Sequence, residues 1–125
     1  MPEASFMFDG TVAKIIKGIE YVRKHINPDF AITQFYLLML VARNEGTAQR
    51  VLAERAKLPH GTVSRNLKQL GTYKVKTKDG KVETKGYNLI ELRPDVFDRR
   101  ITEVYLTQKG KKIVQGIVNA VNHHK

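Results

Sequence analysis

Of the ten residues from His60 to Gln69, only Val63 and Leu67 carry apolar side chains. The other eight are His60, Gly61, Thr62, Ser64, Arg65, Asn66, Lys68 and Gln69, and no carboxylate stands among them. Arginine donates to both acceptors on the guanine edge, asparagine or glutamine pairs with adenine, and threonine offers a methyl group to thymine and a hydroxyl to phosphate. Gly61 allows the backbone to come close to a duplex. Solvated helix faces ordinarily mix their signs, so an acid-free inventory of this kind is suited to base edges and phosphates.

A second cluster, Asp98-Arg99-Arg100, sets two guanidiniums beside one carboxylate. If Asp98 holds one arginine, the other is left to reach out of a narrow loop, and the negative potential of a narrow A·T minor groove attracts such a side chain. A third group is the lysines Lys74, Lys76, Lys78 and Lys81. They belong to a stretch from Lys57 to Lys85 with eight basic residues against two acids, Asp79 and Glu83, in a chain whose formal net charge is +10. Excess positive charge concentrated in this way favours a polyanionic partner.

Other chemistry finds little support. There is no cysteine, which excludes disulfides, thiolate zinc sites and thiol redox switches. The four histidines, His25, His60, His123 and His124, have no ligand spacing, so no metal or cofactor is expected, and His123-His124 reads as part of a tail. No phosphate-binding glycine loop, catalytic carboxylate pair or nucleophile motif occurs, which argues against an enzyme. The opening Met1-Pro2-Glu3-Ala4-Ser5 lacks a basic stretch followed by an apolar one, and no run approaches bilayer length, so the expectation is a cytoplasmic protein without a membrane partner.

The elements that must position these clusters follow from periodicity. Phe8, Val12, Ile15, Ile19, Val22 and Ile26 recur at threes and fours, predicting a helix over 8–26 with Asp9 as N-cap and Asn27-Pro28 as its stop. A helix from Thr33, a good N-cap, to Asn44 is apolar nearly all round and therefore central to the core. Glu45-Gly46 ends it, and Thr47 is placed to cap a short helix over 48–57. Lys57-Leu58-Pro59-His60 then leads into a helix over 60–70 that buries Val63, Leu67 and Leu70. Two short helices joined so tightly form a helix-turn-helix. Beyond Gly71 the pattern becomes strand-like. Segments 73–77 and 81–85 flank Asp79-Gly80, a hairpin-turn signal. A second hairpin, 87–93 with 101–107, has its tip at 94–100. Thr107 caps a final helix whose stripe is Ile113, Val114, Ile117, Val118 and Val121. The fold class is mainly α with a small antiparallel β wing (α+β), in one domain: terminal helices over 8–26 and 107–122, and a helix-turn-helix plus wing over 33–106.

From about Thr33 to Ile113, about two-thirds of the chain, the sequence resembles the MarR family of winged helix-turn-helix transcriptional regulators. The resemblance rests on Ile32-Thr33-Gln34-Phe35, Val51-Leu52-Ala53-Glu54-Arg55-Ala56 and Thr62-Val63-Ser64-Arg65. Its most specific run is Leu89-Ile90-Glu91-Leu92-Arg93-Pro94 through Asp98-Arg99-Arg100 to Leu106-Thr107-Gln108-Lys109-Gly110. It implies that Thr62, Ser64 and Arg65 lie at the major groove and Arg99 in the minor groove, with Asp98 bridging to Arg100 to stiffen the wing. It also implies a homodimer joined through the terminal helices, on half-sites about one helical turn apart.

Three features depart from the family pattern. Pro59 stands where a serine-like cap is usual, Thr72 to Gly86 forms an additional lysine-rich hairpin before the wing, and only one helix follows the wing. Two readings stay open: a sequence-specific regulator of double-stranded DNA, or a winged-helix adaptor for a protein or RNA partner. Operator, direction of regulation and any small-molecule effector are open as well.

Overall fold

A computed structural model describes residues 2–123, and the side chains of residues 2–9 fall outside it. The expected stripe position of the Phe8 side chain and the tail residues His124 and Lys125 therefore lie outside the described residues. The chain forms two compact units, Met1–Phe30 with Lys112–Lys125, and Ala31–Lys111.

The first unit contains helix α1 (Pro2–His25) and most of the last helix, α5 (Gln108–Asn122). Helix α1 begins well before Asp9, so Asp9 lies inside it rather than capping it. Val22, Ile113 and Ile117 are buried, and Tyr21 stacks on His25 with ring centroids 4.1 Å apart. The rest of the α1 stripe is open: Val12, Ile15, Ile16 and Ile19 are between 43 and 54% exposed, and Val118 of α5 is 43% exposed.

In the second unit, α2 (Ile32–Arg43) is the central helix. Leu37, Leu38 and Val41 are wholly buried, as its apolar circumference requires. Its N-cap is Ala31, with no side-chain hydrogen bond, so Thr33 sits within the first turn and does not cap. Gly46 supplies the left-handed turn after α2, at φ +86°. Thr47 and Ala48 then form a two-residue strand, β1, before α3 (Gln49–Ala56). The expected cap at Thr47 is therefore corrected: its hydroxyl donates back to the Asn44 carbonyl at 2.6 Å, because the backbone here is recruited into a sheet. Lys57 turns left-handed at φ 57°, and the Leu58 N–H reaches the Ala53 carbonyl at 3.1 Å. That turn delivers the chain to α4 (His60–Leu70).

Val63, Leu67 and Leu70 of α4 pack into the core with Leu52 of α3, all at 0% exposure. Truncating one such leucine to alanine costs about 2–5 kcal/mol. The wing strands are β4 (Ile90–Pro94) and β5 (Thr102–Leu106), and the sheet order is β1-β5-β4, all antiparallel. A separate hairpin, β2 (Tyr73–Lys76) with β3 (Val82–Lys85), stands between α4 and the wing. Gly80 forms its turn at φ +83°.

The exit from the wing explains the Leu-Thr-x-x-Gly run. The Thr107 hydroxyl accepts the Gly110 N–H at 2.9 Å and donates to the Asn88 carbonyl at 2.7 Å, which caps α5. Gly110 is required because a Cβ there would lie 1.9 Å from the Leu89 carbonyl oxygen. No helix among the described residues is long and apolar enough to cross a membrane.

Candidate nucleic-acid interface

All three polar clusters lie in the unit Ala31–Lys111. On α4, burying Val63, Leu67 and Leu70 turns His60, Gly61, Ser64, Arg65, Lys68 and Gln69 to solvent, with Thr62 and Asn66 half-buried. Arg65 leans toward Thr62, its guanidinium 3.5 Å from the hydroxyl. That contact is long enough to yield readily. Gly61 has only the Arg65 side chain near its missing Cβ, at 3.7 Å, so its backbone is open to approach. Two residues of the set are partly committed elsewhere. The Asn66 amide donates to the Thr62 carbonyl at 2.8 Å, and the Gln69 carbonyl oxygen accepts from Gln34 of α2, the one buried polar residue of the core among the described residues.

Helix α4 starts at Pro59, and no side chain caps it. Its first N–H groups therefore point outward without an internal acceptor, a terminus that favours negative charge. A cleft of about 580 Å³ opens beside it, lined by Ala48, Gln49, Arg50, His60, Asp98, Arg100, Ile101 and Thr102. The start of α3, the start of α4 and the wing tip thus converge on one space. Sequence reasoning did not single out Gln49 and Arg50. Their signal was position, at the first turn of the first helix of the motif.

The wing tip is ordered by two aspartates. The Asp95 carboxylate accepts the N–H groups of Phe97 at 2.8 Å and Asp98 at 3.0 Å. Asp98 accepts the Arg100 N–H at 3.0 Å and both sides of its guanidinium at 3.0 Å. The Arg100 side chain, then its backbone N–H, holds the Asp98 carboxyl below the ordinary carboxylate range, and Asp98 in turn raises Arg100. The Phe97 and Asp98 N–H groups likewise lower Asp95. Arg99 is exposed, and its guanidinium has no hydrogen bond or ion pair among the described residues. Arg93, by contrast, is held 4.1 Å over the Tyr105 ring and paired with Glu91.

On the β2–β3 hairpin, the register pairs Lys74 with Thr84 and Lys76 with Val82, which puts both lysines on one exposed face. The opposite face carries the half-buried Tyr73 and Val75, with the Lys68 ammonium of α4 lying 5.7 Å from the Tyr73 ring centroid. Lys78 and Lys81 flank the turn, where the Asp79 carboxylate accepts from the Thr77 hydroxyl and, at 3.2 Å, from the Lys81 N–H. The Thr77 hydroxyl is the main cause of a lowered Asp79 carboxyl. Lys74, Lys76, Lys78 and Lys81 make no ion pair among the described residues. The hairpin closes at its base, where the Tyr87, Asn88 and Leu89 N–H groups donate to the carbonyls of Gln69, Gly71 and Leu70 at 3.0, 2.9 and 2.8 Å.

Comparison with known proteins finds similarity over the helices of the motif and in the fold. A family model described as the MarR family matches residues 29–70. That stretch runs from the approach to α2 to the end of α4. No curated protein matches the sequence. Among solved structures, a MarR transcriptional regulator from Methanosarcina mazei Go1 is 26% identical with a TM-score of 0.59, covering 94% of this chain and 75% of its own. A mutant form of S. aureus MepR bound to an oligodeoxyribonucleotide is 20% identical with a TM-score of 0.67, covering 98% and 77%. A crystal structure of MarR is 19% identical with a TM-score of 0.59, covering 87% and 65%. The chain thus spans about two-thirds of the length of one of these proteins and about three-quarters of the other two. Over residues 29–70 the chain is thus similar to the MarR family, and its winged fold is similar to that of these structures.

Proposed function

We propose that this protein is a sequence-specific, double-stranded DNA-binding transcriptional regulator. It sets α4 in the major groove through Thr62, Ser64 and Arg65 and reaches the minor groove with Arg99. The observation that carries this reading is the exposure of Ser64, Arg65 and Arg99 on one unit, with a cleft lined by Arg50, His60, Asp98 and Arg100 between α4 and the wing tip. His60, Lys68 and the uncapped start of α4 take the flanking phosphates, together with Arg50 at the cleft. Asp98 fixes Arg100 so that the tip keeps its shape, and Asn66 and Gln69 act at the margin of the groove. Lys74, Lys76, Lys78 and Lys81 add phosphate contacts that carry no sequence preference. The MepR structure, which contains an oligodeoxyribonucleotide, supports DNA over an RNA or protein partner.

The open apolar stripe of α1, Val12, Ile15, Ile16 and Ile19, supports a homodimer. A symmetric dimer reads two half-sites about one helical turn, or about 34–36 Å, apart. Selection of bound duplexes from a random pool, followed by footprinting, tests both statements. The expected product is a pseudo-palindromic site protected on two half-sites. Recovery of no common sequence favours the adaptor reading instead.

A further inference from the structure

The tip of the wing carries two apolar side chains with almost nothing against them. Phe97 is 98% exposed and Val96 is 89% exposed, so the phenylalanine forgoes the gain it would have from burial. The loop holding them is fixed on both sides. Asp95 accepts the Phe97 and Asp98 N–H groups, its own N–H donates to the Ile101 carbonyl at 2.8 Å, and the Ile101 N–H donates to the Asp98 carbonyl at 3.0 Å. Arg100 closes this set of hydrogen bonds through Asp98. The tip therefore presents a bare aromatic ring two residues from an unpaired guanidinium, Arg99, on a preorganised support. A ligand that suits both is anionic along its rim and apolar and stacked within, as a duplex is at a groove. The cleft beside the same tip, where Arg50 lies near the Asp98–Arg100 pair, adds a further guanidinium on that side for an anionic partner.

We infer that Phe97, next to Val96 in the chain, is an apolar wedge that enters the minor groove beside Arg99 and partly unstacks one base step, bending the duplex toward the major groove. This rests on the DNA-binding reading above and adds a source of specificity to it. Pyrimidine–purine steps unstack most easily, so the wedge selects a step that no hydrogen bond reads.

The test uses the full chain and a duplex it has selected from a random pool, with 2-aminopurine replacing adenine at each A·T position in turn. Wild type is expected to raise the fluorescence at one step. Phe97→Ala abolishes that rise and weakens binding about tenfold, the effect of removing one desolvated aromatic anchor, whereas Phe97→Leu keeps most of both. The near-complete exposure of Phe97 means that both variants fold. Wild type binding with no fluorescence rise anywhere, or Phe97→Ala binding and unstacking like wild type, overturns the wedge and leaves the DNA-binding reading standing. Failure of wild type to select any duplex overturns that reading and the wedge together. Loss of self-association in Phe97→Ala with duplex binding intact makes the tip a protein contact, which also overturns the wedge.

Discussion

At the scale of single residues, the roles within α4 follow from what each side chain is already bonded to. Arg65 has one long contact with Thr62, so in the proposed role its donors would transfer to a guanine edge at little cost, whereas the Asn66 amide would first have to leave the Thr62 carbonyl. Arg65→Ala is expected to weaken binding to a selected duplex by about 1–3 kcal/mol and to relax preference at one base position. Titration against single-base variants of the site measures both. Asp98 supplies a second prediction. Its carboxyl is held below the ordinary 3.8 chiefly by the Arg100 side chain. A depressed folded-state value contributes stability that is fully present above the unfolded value and lost as pH falls through the folded one. The Asp98–Arg100 pair is therefore expected to survive acidification through the ordinary carboxylate range and to open only below it. A carboxyl-carbon NMR titration of Asp98 with a midpoint below 3.8 agrees with this, and a midpoint at or above that value does not.

At the scale of elements, the contrast between β2–β3 and α4 predicts two different effects on binding. Lys74 and Lys76 share an exposed face, so replacing both by alanine is expected to weaken all duplexes alike and to reduce the salt slope by about 2, one for each phosphate no longer neutralised. Gly110 tests the packing of the wing exit. Within a helix, glycine to alanine ordinarily stabilises by about 1 kcal/mol. Here the new methyl group would meet the Leu89 carbonyl, so Gly110→Ala is expected to destabilise, read as a lower urea midpoint. Much of this was legible in the sequence. The α4 bounds are those its buried stripe predicted, because Val63, Leu67 and Leu70 leave one register only. Asp79-Gly80 and Thr107 announced a turn and a cap by local chemistry. Strand β1 was not legible, since two residues carry no periodicity and its pairing of Thr47 with Val104 depends on a distant segment. The partner of Gln69 was hidden for the same reason, as Gln34 lies 35 residues away.

At the scale of the whole molecule, the chain divides into a unit that carries every candidate DNA-contacting residue and a unit built from the chain's two ends. In the latter, an apolar stripe on α1 is left about half exposed, a surface that a second copy would cover. Replacing Ile15 and Ile19 by glutamate is expected to shift sedimentation from dimer to monomer and to weaken operator binding as half-sites cease to be bound together. The readout that matters most is equilibrium binding of a selected duplex and a scrambled one as salt is raised. With about six to ten phosphate contacts, affinity for both should fall about 10³- to 10⁵-fold between about 50 and 200 mM salt. The selected duplex should stay tighter throughout, and Arg65→Ala should narrow the gap. Equal affinity for the two duplexes, or binding that does not respond to salt, would contradict a groove-reading protein of this kind.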